Sequence, residues 1–220
     1  MKKNIVITIA RQYGSGGRTV GKMLSEKLGI HYYDKELMFL ASEESGISEQ
    51  LFVKADERVS GTNSVLRRLV GNVYKGEILS PDSGEFLSDK NLFNYQADII
   101  KKIADEETCV IVGRAADFVL KDYENAVRVF VHAPKWFLLQ EAGKVQSMTG
   151  PELEKYCAKI DKQRANYYEY YTGLDWNDAR NYDLCIDSSK LGFEKCMEEI
   201  IAYCKVRFGE NCFEEALKKD

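Results

Sequence analysis

The tract Ile9-Ala10-Arg11-Gln12-Tyr13-Gly14-Ser15-Gly16-Gly17-Arg18-Thr19 brings together what anion chemistry needs. Glycines let successive N–H groups converge on one point, and such a concavity suits a phosphate. A helix starting at its end would add free N–H donors and the positive end of its dipole. Gly14, Ser15, Gly16 and Gly17 form the expected cradle, Arg18 supplies a full charge, and Thr19 a hydroxyl placed to reach a metal ion. Against the pattern G-x-x-x-x-G-K-[ST], the window Gln12 to Thr19 keeps Gly17 and Thr19, with Gln12 at the first glycine and Arg18 at the lysine. Arginine keeps the charge and adds bidentate reach, but it is longer and planar. Arg18 therefore works from a shifted position or the nucleotide sits differently, and Lys22, one turn on, is a weaker second cation. Two other readings stand beside this one. One is a tight turn with no ligand. The other is a dinucleotide fingerprint with Asp34 as its acid, which lacks the third glycine because position 19 is Thr.

The elements around the tract fit an α/β fold. Asn4 to Ile9 is apolar or β-branched at nearly every position, as in a parallel strand buried on both faces. Thr19 to Leu28 carries Val20, Met23, Leu24 and Leu28 at helical spacing, closed by Gly29. His31 to Tyr33, Cys109 to Val112, Ala126 to Val131 and Tyr182 to Ile186 read as further strands. Helical patterns cover about 37–40, 47–59, 65–73, 89–107, 115–120, 150–171 and 193–208, with one more opening near Pro134. Residues 76–90 read as a mobile loop. Strands alternating with helices predict a parallel sheet.

Charged residues recur where open sheets place ligands. Arg114 directly follows the Cys109 strand, as a ligand contact or a snorkelling strand end. Asp34 follows the second strand, as a ligand group or a helix N-cap. Asp161 and Arg164 share one helix face, where the plain reading is a surface ion pair. Lys159 and Lys162 point elsewhere. His31 and His132 border strands and read as structural, since two histidines alone make no three-ligand site. Tyr167, Tyr168, Tyr170 and Tyr171 read as packing rather than a base-stacking platform. Six cysteines without a C-x-x-C pair argue for reduced thiols rather than zinc.

With that loop, Tyr33-Asp34-Lys35-Glu36-Leu37, Cys109 to Arg114 and Asp161-Lys162-Gln163-Arg164-Ala165, the sequence resembles the cytidylate-kinase-like family of P-loop nucleoside monophosphate kinases, from residue 4 to about 205. The resemblance implies a three-layer α/β/α fold with a five-stranded parallel sheet and a helical lid. It implies ATP with Mg²⁺ as donor and a small acceptor, most plausibly a nucleoside monophosphate. Residues 1–220 then form a single P-loop kinase-like domain, with inserted acceptor-binding helices at about 36–105 and lid helices at about 150–172. By the same resemblance Arg18, Arg114 and Arg164 serve transfer, Asp34, Arg114, Asp117, Asp161 and Arg164 bind the acceptor, and Thr19 serves the metal. Three positions depart from the family pattern. Ala115 stands where an Asp follows Gly-Arg, with Asp117 as a substitute from the same helical face. Cys157 occupies the first lid-arginine position. Lys35-Glu36-Leu37 replaces the Ser-Gly element that follows the Asp, and the Tyr-Arg element beyond it is absent too.

The chain has 220 residues and a net charge of −4, which favours neither disorder nor a nucleic-acid partner. No apolar run approaches the roughly 18 residues of a membrane span, and the N-terminus does not read as a secretory signal. The expectation is a cytoplasmic protein with a small-molecule acceptor, no nucleic acid and no membrane partner; oligomeric state is not encoded legibly. Two further function classes remain open at this point: a noncatalytic nucleotide- or anion-binding module, and a kinase for a non-nucleotide metabolite.

Overall fold

A computed structural model describes residues 4–61 and 76–217. The helix expected at 65–73 lies outside the described residues. The central strand β1 (Val6–Arg11) leads through the glycine tract into α1 (Gly17–Leu28), then β2 (His31–Tyr33), α2 (Glu36–Ser45) and α3 (Glu49–Gly61). After the 76–88 segment come α4 (Asp89–Glu106), β3 (Cys109–Val112), the short α5 (Ala116–Val119) and β4 (Ala126–His132). The chain continues with α6 (Lys135–Gly143), α7 (Gly150–Thr172), β5 (Leu184–Asp187), α8 (Ser188–Phe208) and α9 (Cys212–Leu217).

The five strands form one parallel sheet in the order β2-β3-β1-β4-β5. β1 is flanked on both edges, pairing Ile9 with Val112 of β3 and with Val129 of β4. This is where the strand order reverses, so a crevice opens beyond its C-terminal end. Strand alternation sends Ile5, Ile7 and Ile9 into one core with Val20, Leu24, Ile200 and Cys204. Val6, Ala10 and Ile111 enter the other core with Leu92, Ile100 and Tyr171. Helices therefore cover both faces, giving three layers.

Boundaries differ from the sequence reading where tertiary contacts override local pattern. β1 runs on to Arg11, because Ala10 and Arg11 still pair with Phe130 and Val131. The last strand starts at Leu184 rather than Tyr182, after a 3₁₀ turn at Ala179–Asn181 whose cap is the Asp178 carboxylate. α8 starts at Ser188, five residues early, with Asp187 as N-cap and a break at Gly192. α9 was not anticipated. The helix read over 150–171 is one continuous helix, Gly150–Thr172, where the resemblance implied lid helices. Residues 76–88 form a loop, as the sequence reading expects, and it is tied to α4: the Leu79 N–H donates to Asn91 Oδ1 at 2.8 Å, and Asn91 Nδ2 donates to the Phe86 carbonyl at 2.9 Å. Among the described residues no helix is long and apolar enough to cross a membrane.

Candidate active site

The glycine tract forms a bend between β1 and α1. Gly14 and Gly16 hold φ of +83° and +77°, a region closed to most side chains, and each is also crowded. A β-carbon on Gly14 would overlap the Leu138 carbonyl of α6, and one on Gly16 would overlap the Phe193 ring of α8. α1 starts from Gly16 with no side-chain cap and no acid in its first turn. Among the described residues, the N–H groups of Gly14, Gly16, Gly17, Arg18 and Thr19 meet no backbone carbonyl. Those of Tyr13 and Ser15 are taken, by Asp161 and by the Gln12 carbonyl. Free amides at a helix N-terminus are of the kind that suits an anion. Arg18 and Thr19 are exposed on its first turn.

Gln12 anchors the other side of the bend: its N–H donates to the Val131 carbonyl at 3.1 Å and its Oε1 accepts from the Ala133 N–H at 3.1 Å. The expected ion pair on α7 forms, with Arg164 Nη1 donating to Asp161 Oδ1 at 3.0 Å. It does more than sit on a surface. The same Asp161 oxygen accepts the Tyr13 N–H at 2.7 Å, and Arg164 donates to the Arg11 carbonyl at 2.9 Å. Burial raises the Asp161 carboxyl and lowers the Arg164 guanidinium, while each opposes that shift in the other. Asp161 thus stands behind the glycine bend, as a positioning group rather than a wall of the cavity.

Beside the bend lies a cavity of about 250 Å³ walled by Arg11, Arg18, Asp34, Arg114, Asp117 and Arg164 among others. Arg18 turns away from the amides toward β2, its Nε donating to Asp34 Oδ2 at 2.8 Å. Asp34 is therefore a partner of the cation and not the cap of α2, whose N-cap is Lys35 without a side-chain hydrogen bond. Arg114 and Ala115 adopt left-handed backbone, φ +61° and +51°, after Gly113. Non-glycine residues held there cost on the order of 1–3 kcal/mol each, which surrounding contacts must offset. The turn aims Arg114 at the Asp56 carboxylate of α3 and at the Met38 sulfur of α2. Asp117 lies at the cavity wall, buried, and accepts the Tyr168 hydroxyl at 2.7 Å; burial raises its carboxyl to about 6. Thr19 does not line this cavity, nor does Lys22.

The comparisons with known proteins bear on this arrangement. A family model described as the cytidylate kinase-like family matches residues 6–190, from the first strand through the bend, cavity and α7 into α8. The chain belongs to the cytidylate kinase-like family. A cytidylate kinase of Pyrococcus horikoshii is 25% identical over 190 residues, covering 86% of this chain and 82% of that protein. The crystal structure of an uncharacterized protein from Eubacterium ventriosum is 26% identical, with a TM-score of 0.64 over 91% of this chain and 98% of that one. A shikimate kinase from Bacteroides thetaiotaomicron, 12% identical with a TM-score of 0.52, covers 91% of this chain and 98% of that one and shares the fold. Membership places the protein among kinases with a three-layer fold, and so among phosphotransferases, without fixing its acceptor.

Within this kinase family member, several cavity residues escaped the sequence reading, the charged Asp56 and Arg11 among them. Asp56 sits mid-helix in α3 beside Glu57, where helical acids carry no signal of their own. Arg11 carried one: it is a cation ending a run of five buried residues at the C-terminal end of the central strand. The tyrosine cluster divides. Tyr171 stacks on Phe93 with ring centroids 4.1 Å apart, as packing, whereas Tyr167 and Tyr168 also wall the cavity. His132 stacks on Phe130, and His31 pairs with Glu107.

Proposed function

We propose that this protein transfers the terminal phosphoryl group of ATP to a nucleoside monophosphate in the cytoplasm. One observation carries the reading: a bend whose amides are free to hold a polyphosphate opens next to a cavity lined by several guanidinium groups. Bringing donor and acceptor phosphates together sets like charges a few ångströms apart, at about 4 kcal/mol per pair for an effective dielectric near 20. Arg18, Arg114 and Arg164 stand where that repulsion arises. In the reaction an acceptor phosphate oxygen bonds to the γ-phosphorus. The bond to the bridging oxygen breaks with its electron pair left on ADP. Positioning and charge compensation, more than a protein nucleophile, are what such a step requires.

The residues fit a magnesium ion held largely by phosphate. No group of three or more acidic, His or Cys side chains gathers to bind a metal among the described residues, and Thr19 stays exposed at the helix start. Thr19 would contribute its hydroxyl, and the bound ion would neutralise phosphate charge. Six unpaired cysteines support a reducing compartment.

A second reading has its own observation. Arg18, Arg114 and Arg164 already face Asp34, Asp56 and Asp161, so their charge is partly matched without an acceptor phosphate. Carboxylates such as Asp34 suit a hydroxyl acceptor, whose proton they would take. The test is a panel of nucleoside monophosphates and polyhydroxy metabolites with purified protein and Mg-ATP, read as ADP formed. Turnover with a monophosphate is expected, lost in Arg164→Ala. Turnover only with a hydroxylated metabolite selects the second reading. No ADP above background with any acceptor refutes both.

A further inference from the structure

Of the guanidinium groups at the end of β1, Arg11 is the most enclosed of those bordering the cavity and the least satisfied. Its side chain is 12% exposed, and its Nε is sealed from solvent with no hydrogen-bond partner. The carboxylate nearest to it, Asp34, stands 3.9 Å away and is already engaged by Arg18. Burial lowers the Arg11 guanidinium to about 9, and the neighbouring charges of Arg164 and Arg18 press in the same direction against Asp34. It is still a cation at neutral pH.

The surrounding chain keeps space for this side chain. A β-carbon on Gly17 would overlap the Arg11 Cβ, and one on Gly113 would overlap its Nη1. A glycine of the phosphate bend and a glycine at the end of β3 thus lie against opposite ends of Arg11. An arginine serving only to brace the bend would donate to carbonyls, as Arg164 does to the Arg11 carbonyl at 2.9 Å. The Arg11 side chain donates no hydrogen bond to any described residue, its contact with Asp34 being an ion pair at 3.9 Å. A buried guanidinium whose nearest carboxylate is 3.9 Å away and shared with Arg18 is under-compensated, and such a charge is tolerated where a counter-ion arrives from outside.

We propose that Arg11 is a fixed polyphosphate-binding cation, its only partly satisfied guanidinium receiving the terminal phosphate of a nucleoside triphosphate between the bend and the cavity. The inference rests on the transferase reading only for the identity of the nucleotide. A planar guanidinium gives a phosphate two parallel hydrogen bonds, and an enclosed site strengthens both. Arg18, exposed and tied to Asp34, is then an auxiliary contact.

Calorimetric titration of the full chain with inorganic tripolyphosphate, no acceptor present, tests this. Wild type binds, Arg11→Gln binds at least about tenfold more weakly, and Arg11→Lys falls between, keeping the charge but not the fork. The exposed Lys27→Gln, at the far end of α1, controls for net charge and is unchanged. Equal affinity in wild type and Arg11→Gln overturns the proposal, as does wild type that does not bind. Should Arg11→Gln fail to fold, wild type decides: the Arg11 Nε–H signal, assigned by nitrogen-15 NMR against Arg11→Lys, shifts on adding tripolyphosphate, and an unmoved signal overturns the proposal. A chain that binds tripolyphosphate through Arg11 but phosphorylates no acceptor refutes the transferase alone. Undiminished turnover and binding in Arg11→Gln refutes this role alone.

Discussion

The Asp161 carboxylate accepts the Tyr13 N–H at 2.7 Å across 148 residues of sequence, and the same oxygen holds Arg164 at 3.0 Å. The long helix and the glycine bend are therefore joined through one oxygen atom. Asp161→Ala leaves a backbone donor and a largely buried guanidinium without that partner. It should lower unfolding stability by about 1–3 kcal/mol, and Asp161→Asn by less, since it keeps an acceptor. Urea unfolding midpoints check this; identical midpoints for all three proteins would show that the link carries no stability.

Asp117 gives a pH dependence with a definite sign. Burial raises its folded carboxyl to about 6 from the ordinary 3.8, so the folded state holds a proton that the unfolded state has released between those values. Stability therefore falls as pH rises from about 4 to 6, and the penalty is fully present above 6. Asp117→Asn, neutral at every pH, should be more stable than wild type at pH 7.5 by on the order of 2 kcal/mol, with the gap closing near pH 4. Thermal unfolding of both proteins across that range measures it. A gap that stays constant with pH would remove the buried carboxylate as its cause.

The two crowded glycines should not respond alike. A methyl on Gly14 meets main chain, the Leu138 carbonyl, whereas one on Gly16 meets the Phe193 side chain. Both substitutions carry the left-handed penalty of roughly 1–2 kcal/mol. Gly14→Ala should then cost clearly more than Gly16→Ala, and adding Phe193→Leu should recover part of the loss only for Gly16→Ala. Melting temperatures of the four variants report this order.

Arg114 and Asp56 form a pair in which both side chains are mostly enclosed, 17% and 19% exposed. Removing either leaves an uncompensated charge, so a double-mutant cycle with Arg114→Ala and Asp56→Ala should give a coupling of about 1–3 kcal/mol in unfolding free energy. In turnover assays each single variant should raise KM for the acceptor more than KM for ATP. A coupling near zero would mean that the left-handed turn, not the ion pair, fixes Arg114.

The layered fold was legible because its signals are local: a β-branched and apolar run shortly before a glycine tract, strands and helices in alternation, a Pro near the start of α6. The bend was legible for the same reason. What escaped was relational. Arg18 shows a charge in the sequence but not that Asp34 draws it aside, since that depends on where β2 lies next to β3. Asp161 reads as half of a surface pair until the Tyr13 amide comes within reach. Asp56 gains meaning only from the left-handed turn at Arg114, which a non-glycine sequence does not advertise.

The packing of Gly14 against the Leu138 carbonyl extends beyond this molecule. A relative with any side chain at that position must route the helix following its fourth strand along another path. A single letter in an aligned homologue would therefore tell which of two main-chain courses that homologue follows, before its coordinates are known.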